Sequence, residues 1–173
     1  MAVIQIPAEA FTTGFKHTAP TLAGKRVVYA APDGDSIRCL SLRDGSLIWK
    51  AARADDDLYV GAVQDGRVLV VGRKSCRAIS LDTGKELWKQ AIPEPAGLGA
   101  FCGKRYYIPL RDTGVLVLDP ERQNAPVRID CKKRETKGNL LFHAGDMWSQ
   151  DDGGVTAYPQ LATKLGQVDD MPK

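Results

Sequence analysis

The feature that most constrains this sequence is an internal repeat. Residues 37–50 and 76–89 share a pattern in which an apolar run leads to a glycine-containing turn and then to a tryptophan followed by lysine. The two copies are 39 residues apart, because Trp49 corresponds to Trp88. A repeat of this length indicates stacked units of supersecondary structure. Such a repeat specifies an architecture and leaves biochemical function open.

Each copy has the pattern of consecutive β-strands. Apolar, β-branched runs at 26–31 and 67–72 begin after glycine turns, and each leads to a second run with alternating polarity. Turns then follow at Gly45 and Gly84, where glycine accepts a positive φ without a Cβ clash. With one more strand before each apolar run, the repeat contains four strands. The sequence therefore predicts an all-β chain built from the four-stranded antiparallel blades of a β-propeller.

Two weaker copies follow toward the C-terminus. The third aligns Leu118 with Leu81 and lacks a tryptophan in its last strand, and the fourth stops before an outer strand is evident. The prediction is therefore a partial ring of about three and a half to four blades. Its predicted limits are an N-terminal lead-in at 1–17, blades at 18–53, 58–92, 97–133 and 138–164, and a tail at 165–173.

The turn and tryptophan segments at 42–50 and 81–89 resemble the repeat of pyrroloquinoline-quinone-type (PQQ-like) β-propellers, a quinoprotein-like superfamily related in shape to WD40 proteins. The resemblance covers most of the chain, from 18 to 160. The chain departs from the family pattern at Arg43, where the family has aspartate, and in a shortened turn after Asp82. The resemblance implies the propeller fold and does not by itself imply a function.

The resemblance also implies structural roles for four residues. Trp49 and Trp88 are expected to dock between neighbouring blades, and Gly45 and Gly84 to let the next blade approach. A tryptophan carries about 150–250 Å² of surface, so truncation of either indole to alanine is expected to cost about 3–5 kcal/mol. The alternative is a stacking platform for a ligand ring, which the regular turn-to-tryptophan spacing disfavours.

In the family that the sequence resembles, the dehydrogenases usually have eight blades, about twice the number predicted here. Blades shaped for such a ring would leave apolar faces open at both ends of the arc. Two expectations follow. The chain is a segment of a longer bacterial protein, which we favour, or it completes a ring by self-association through the open blade faces.

Composition excludes several classes of partner. The net charge of +3 is spread over interspersed residues of both signs, and the basic cluster at 132–137 has the pattern of a solvated loop, so no nucleic-acid partner is predicted. No apolar run is long enough for a transmembrane helix. The N-terminus lacks the pattern of a secretory signal. The compartment stays open between the bacterial envelope or periplasm and the cytoplasm.

The four cysteines contain no C-x-x-C pair, which argues against a zinc site or a redox pair. Cys39 and Cys76 fall in apolar strands, where cysteine behaves as a small hydrophobe. Buried free thiols are therefore favoured for Cys39, Cys76, Cys102 and Cys131, and disulfides remain the alternative.

Catalysis is not predicted. Quinoproteins of the resembled family need calcium held by carboxylate and amide groups and often a vicinal cysteine pair, which this sequence lacks. Asp33-Gly34-Asp35 is too short for a calcium loop, and His17 and His143 have no partner at motif spacing. The hypothesis is a non-catalytic scaffold without cofactor or metal that contacts protein partners, or other domains of the same polypeptide, through the loops 54–57 and 94–97. The alternative is a segment that binds PQQ with calcium, or another small ligand, in a quinoprotein oxidoreductase.

Overall fold

The structure is a computed structural model that describes residues 19–31, 34–112, 114–121, 125–130 and 138–159. Every regular element within these ranges is a β-strand, and the strands form four antiparallel sheets. Each sheet uses strands in chain order, so that neighbours in the sheet are also neighbours in the sequence. The predicted all-β propeller architecture is confirmed.

Three sheets have four described strands and the fourth has three. The first sheet consists of β1 (Thr21–Ala23), β2 (Arg26–Ala30), β3 (Ser36–Ser41) and β4 (Leu47–Ala52). The second consists of β5 (Asp57–Gln64), β6 (Arg67–Gly72), β7 (Ser75–Ser80) and β8 (Glu86–Ala91). The third consists of β9 (Ala100–Cys102), β10 (Arg105–Leu110), β11 (Gly114–Leu118) and β12 (Val127–Asp130). The fourth consists of β13 (Asn139–His143), β14 (Asp146–Asp151) and β15 (Gly154–Tyr158).

The sheets pack face to face, and the second sheet is buried on both faces. Side chains alternate along β6, as a strand requires. Val68 and Val70 pack against the first sheet, whereas Leu69 and Val71 pack against the third. All five residues after Arg67 in this strand are buried. The continuous apolar run at 68–72 therefore reflects a strand enclosed between two neighbouring sheets.

The four sheets follow one another as an open arc. The first strands of successive sheets lie side by side, with β1 against β5, β5 against β9 and β9 against β13. The described strands provide no comparable contact between the first sheet and the fourth. This arrangement is the partial ring that the sequence predicted.

Strand register corrects one part of the sequence alignment. Leu118 pairs with Tyr106 in the third sheet, just as Ile79 pairs with Val68 in the second. Leu118 therefore corresponds to Ile79 rather than to Leu81, and the spacing of 39 residues extends into the third unit. The alignment of Leu118 with Leu81 rested on a leucine–aspartate pair found at both places and is wrong. Side-chain identity alone does not fix which strand positions face each other.

Several predicted features lie outside the described residues. They are the lead-in 1–17, the basic cluster 132–137, the tail 165–173 and the ends of the predicted blades that extend into these parts. Their limits stay predictions. The described part of the chain contains no helix long and apolar enough to span a membrane.

Candidate protein-contact surface

Trp49, on β4, crosses from the first sheet to the second. Its Nε1 donates a hydrogen bond of 2.7 Å to the carbonyl of Leu81, and only 7% of the residue is exposed. The indole lies over Gly84, where an added Cβ would stand 2.8 Å from the ring atoms Cδ2 and Cε3. Gly84 also has a φ of +71°. Two separate constraints, backbone conformation and close approach, therefore favour glycine at this position.

Trp88, on β8, makes the corresponding contact from the second sheet to the third. Its Nε1 donates to the carbonyl of Pro120 at 3.1 Å. Gly45 has a φ of +73°, close to that of Gly84, yet no described atom lies within 4 Å of the place where its Cβ would be. The docking roles of four residues stay predictions, because only mutation can measure how much each residue contributes to the free energy of unfolding. These residues are Gly45, Trp49, Gly84 and Trp88.

The connection between the first and second sheets is held by internal hydrogen bonds. Arg53 donates to the carbonyl of Ala31 at 2.6 Å and to the carbonyls of Asp57 and Leu58 at 3.3 Å. The Asp56 carboxylate accepts a bond of 2.8 Å from the hydroxyl of Ser75. These hydrogen bonds therefore hold the connection to the first sheet and to the second.

Asp57 does not belong to the exposed loop in which the sequence analysis placed it. It is the first residue of β5 and only 2% exposed. Its carboxylate accepts hydrogen bonds from Arg77, whose Nη2 lies 2.5 Å away, and from the backbone N–H of Ala54 at 2.9 Å. The charge of a buried aspartate requires such partners. Of the three carboxylates at 55–57, only that of Asp55 belongs to an exposed residue.

Arg77 is the cation of this buried pair. It also donates to the carbonyl of Ala52 at 2.9 Å and to the carboxylate of Glu86 at 3.3 Å. Burial on its own would lower the pKa of Arg77, but the hydrogen bonds and charge of Asp57 outweigh it and hold that pKa above its usual value. Arg77 and Asp57 thus neutralise each other's charge inside the protein and have a structural role.

The connection between the second and third sheets is similarly fixed. Ala96 N–H donates to the carbonyl of Pro109 at 2.8 Å. The hydroxyl of Tyr59 donates to the carbonyl of Gly97 at 3.0 Å and accepts from the N–H of Gly99 at 3.1 Å. Loops pinned in this way present their exposed side chains in a defined arrangement.

A shallow cleft opens beside this loop, between the second and third sheets. Glu94, on one wall, forms an ion pair of 3.5 Å with Arg111. Arg73 and Arg111 hold equivalent places, each directly after the second strand of its sheet. The cleft is lined by apolar residues and by charged side chains of both signs, a mixture that suits a contact with another protein. Its lining residues are Leu58, Tyr59, Arg73, Glu94, Pro95, Ala96, Gly97 and Arg111.

The acidic and histidine candidates for a metal site are not brought together within the described part of the chain. Among the described residues, no group of three or more histidine, cysteine or acidic side chains is placed to hold a metal ion. Asp35 pairs with Lys50 at 3.5 Å, and the charge of Lys50 lowers the pKa of that carboxyl. Asp33 and His17 lie outside the described ranges. The sequence also lacks the vicinal cysteine pair.

Three of the cysteines are described, and all three are free thiols. Cys39 and Cys76 are buried, as predicted, and burial raises the pKa of Cys76 to about 12. Cys102 is exposed, which corrects the expectation that it is buried. It ends β9, a short strand with a half-buried pattern, at a turn. Cys131 lies outside the described residues.

With this geometry in hand, comparison with known proteins identifies the family. The profile of a PQQ-type family described as "Outer membrane protein assembly factor BamB" matches residues 8–163. The chain belongs to this family. The PQQ-like resemblance seen in the sequence is therefore confirmed.

Individual BamB relatives match parts of their own length. The outer membrane protein assembly factor BamB of Bordetella pertussis is 38% identical in an alignment 88 residues long, which covers 47% of this chain and 22% of that protein. The crystal structure of BamB from Moraxella catarrhalis superposes with a TM-score of 0.64 and 16% identity, over 81% of this chain and 41% of that one. The chain thus spans less than half of these relatives.

A quinohemoprotein alcohol dehydrogenase from Pseudomonas putida HK5 has the same fold. It superposes with a TM-score of 0.60 and 16% identity, over 79% of this chain and 28% of that enzyme. At this identity the likeness concerns the fold alone. The relative from Bordetella pertussis, at 38% identity, is named an outer membrane protein assembly factor.

The sequence indicates the loop 94–97 as a contact surface but not the two arginines beside it. A signal was present, because Arg73 and Arg111 each follow the second strand of their copy. Arginine after a strand is common, however, and only the packing of the second sheet on the third shows that both side chains line one cleft.

Proposed function

We propose that this chain is a non-catalytic, protein-binding arc of a propeller that serves the assembly of outer membrane proteins. The observation that carries the proposal is the family match over residues 8–163. The named relative from Bordetella pertussis is an outer membrane protein assembly factor, which supports a protein of such an assembly machinery as the partner.

The chemistry of the polar groups supports a binding role. Asp57 and Arg77 neutralise each other in the interior, and Asp56 bonds to Ser75, so these groups are not available to act on a substrate. What is left at this end of the sheets is a set of exposed side chains on loops whose backbones are fixed. A preorganised surface loses little conformational entropy when a partner binds.

We place the contact at the end of the sheets that carries the connections 53–56 and 92–99. Glu94 and Arg111 lie at its centre and are 44% and 63% exposed in their side chains. The opposite end of the sheets carries the hairpin turns that contain Gly66 and Gly103, and there Lys104 pairs with Glu121 at 3.6 Å. Each end therefore offers an exposed ion pair joining an arginine or lysine to a glutamate, and these two pairs can be compared.

A charge-swap experiment tests this surface. The double variant Glu94→Arg/Arg111→Glu keeps an ion pair within the chain but reverses the charges that a partner meets. We expect binding to the purified outer membrane protein assembly machinery of the host, followed by surface plasmon resonance, to weaken about tenfold or more, because charge complementarity is inverted. The matched control, Lys104→Glu/Glu121→Lys, reverses the pair at the opposite end and is expected to bind as the unmodified chain does.

Two results would count against the proposal. Equal binding by both charge-swapped variants would show that the partner does not contact this end of the sheets. Absence of binding by the unmodified chain would contradict a role in assembly. A rise in melting temperature on addition of PQQ with calcium would instead favour the quinoprotein alternative.

A further inference from the structure

The third sheet carries a valine at the position where the first two sheets carry docking tryptophans. In the second sheet Trp88 pairs with Ala78, and in the third Val127 pairs with Val117 in the corresponding row. Trp49 holds this position in the first sheet. Val127 is 62% exposed, whereas Trp49 is 7% exposed.

An apolar groove opens beside Val127. Its cavity volume is about 210 Å³, and every described residue that lines it belongs to the third sheet or to the segment leading into β12. Ile129, two residues further along the strand, is 49% exposed. The lining residues are Arg105, Tyr107, Val117, Asp119, Ala125, Val127 and Ile129.

The chain's other interfaces indicate what kind of group fills such a groove. Between the first and second sheets, and between the second and third, an indole occupies the space and its Nε1–H donates to a backbone carbonyl of the next sheet. Between the third and fourth sheets the described contacts lie nearer the inner strands, where the rings of Tyr107 and Phe142 are 4.8 Å apart. A valine is too small to replace an indole, so the outer part of this boundary keeps exposed apolar surface.

We propose that the groove beside Val127 is a docking site for a tryptophan side chain of a protein partner. The argument rests on continuity with the two indole-filled boundaries of the same chain. The groove offers aliphatic and aromatic walls to the ring, and Arg105 and Asp119 stand among its lining residues. Buried aromatic anchors of this kind dominate the energetics of many protein interfaces. The site lies toward the hairpin end of the sheets and does not depend on the loop surface proposed above.

The chain itself supplies a probe for this groove. A capped synthetic peptide with the sequence Glu86–Ala91 copies β8, whose tryptophan fills the equivalent space in the second sheet. We expect NMR titration of the isotope-labelled chain with this peptide to shift signals of Tyr107, Val117 and Ile129. The matched peptide with alanine in place of tryptophan is expected to bind about tenfold more weakly or worse, because it lacks the indole surface.

Two substitutions at Val127 complete the test. Val127→Trp fills the groove from within and is expected to abolish peptide binding and to raise the melting temperature. Val127→Lys, at an exposed position that tolerates a polar side chain, is expected to abolish binding without filling the groove. Val155→Trp, at a position 64% exposed on the fourth sheet, is the matched control and should leave binding unchanged.

The outcomes separate this proposal from the loop surface. The Glu94→Arg/Arg111→Glu variant should bind the peptide normally, because its changes lie at the other end of the sheets. Equal binding of the tryptophan and alanine peptides, shifts confined to other parts of the chain, or unchanged binding by both Val127 variants would each overturn the groove as a tryptophan site.

Discussion

At the scale of single residues, equivalent positions in the repeat have acquired different environments. Gly45 and Gly84 lie in the same turn of successive sheets, with φ values of +73° and +71°. Only Gly84 has an indole above it, that of Trp49. The backbone conformation of the two glycines is thus shared, while the close approach is peculiar to one.

This difference predicts unequal effects of alanine at the two glycines. Gly45→Ala is expected to lower the free energy of unfolding by about 1–2 kcal/mol, because alanine disfavours the left-handed conformation. Gly84→Ala has the same strain and must also displace the ring of Trp49, which adds about 1–3 kcal/mol. Chemical denaturation of both variants measures the difference. Equal losses would show that the indole does not bear on Gly84 in solution.

At the scale of elements, the sheets differ in how well they are supported. The second sheet has neighbours on both faces and contributes to both apolar cores. The fourth has three described strands and an outer face on which Leu141 and Val155 are 61% and 64% exposed. At its boundary with the third sheet, the position that holds a tryptophan in the first two sheets is occupied by the exposed Val127. We therefore expect local stability to fall from the second sheet toward the fourth.

Hydrogen exchange tests this order. Amides in β13 to β15 that bond within their sheet are expected to exchange at least about tenfold faster than those in β6 and β7, because they open without global unfolding. Strands β10 and β11 serve as the internal reference between these extremes. Uniform protection across all four sheets would contradict the expectation and would indicate that the arc opens as one unit.

At the scale of the whole molecule, the apolar cores contain several groups that ionise only at high pH. Burial raises the pKa of Cys76 to about 12, and it also raises the pKa values of Cys39, Tyr59 and Tyr106. All four side chains belong to the contacts between sheets. The folded arc therefore keeps protons that the unfolded chain would release.

This linkage predicts a loss of stability in alkali. In the unfolded chain thiols ionise near pH 8.5 and tyrosines near pH 10, so the stabilisation from a raised pKa is complete below those values and falls as the pH rises toward the folded pKa. For Cys76 the fall is expected between about pH 8.5 and 12, with a limiting slope of about 1.4 kcal/mol for each pH unit.

The variant Cys76→Ala isolates this contribution. Its free energy of unfolding, measured by denaturation at a series of pH values, should be lower than that of the unmodified chain near neutrality because a buried side chain is truncated. Its dependence on pH above 9 should nevertheless be less steep by about one proton. Parallel curves for the two proteins would contradict the burial of the Cys76 thiol.

The sequence by itself determined the repeat, the strands and the turns, because alternation, glycine placement and tryptophan spacing act over a few residues. The strand positions of Trp49 and Trp88 could be predicted in this way, and so could the burial of the Cys39 and Cys76 thiols. Tertiary structure alone decided that Asp57 is a buried partner of Arg77, that Cys102 is exposed and that Val127 borders an open groove. These outcomes depend on which faces of distant segments meet, and no local pattern encodes the pairing of one sheet with the next.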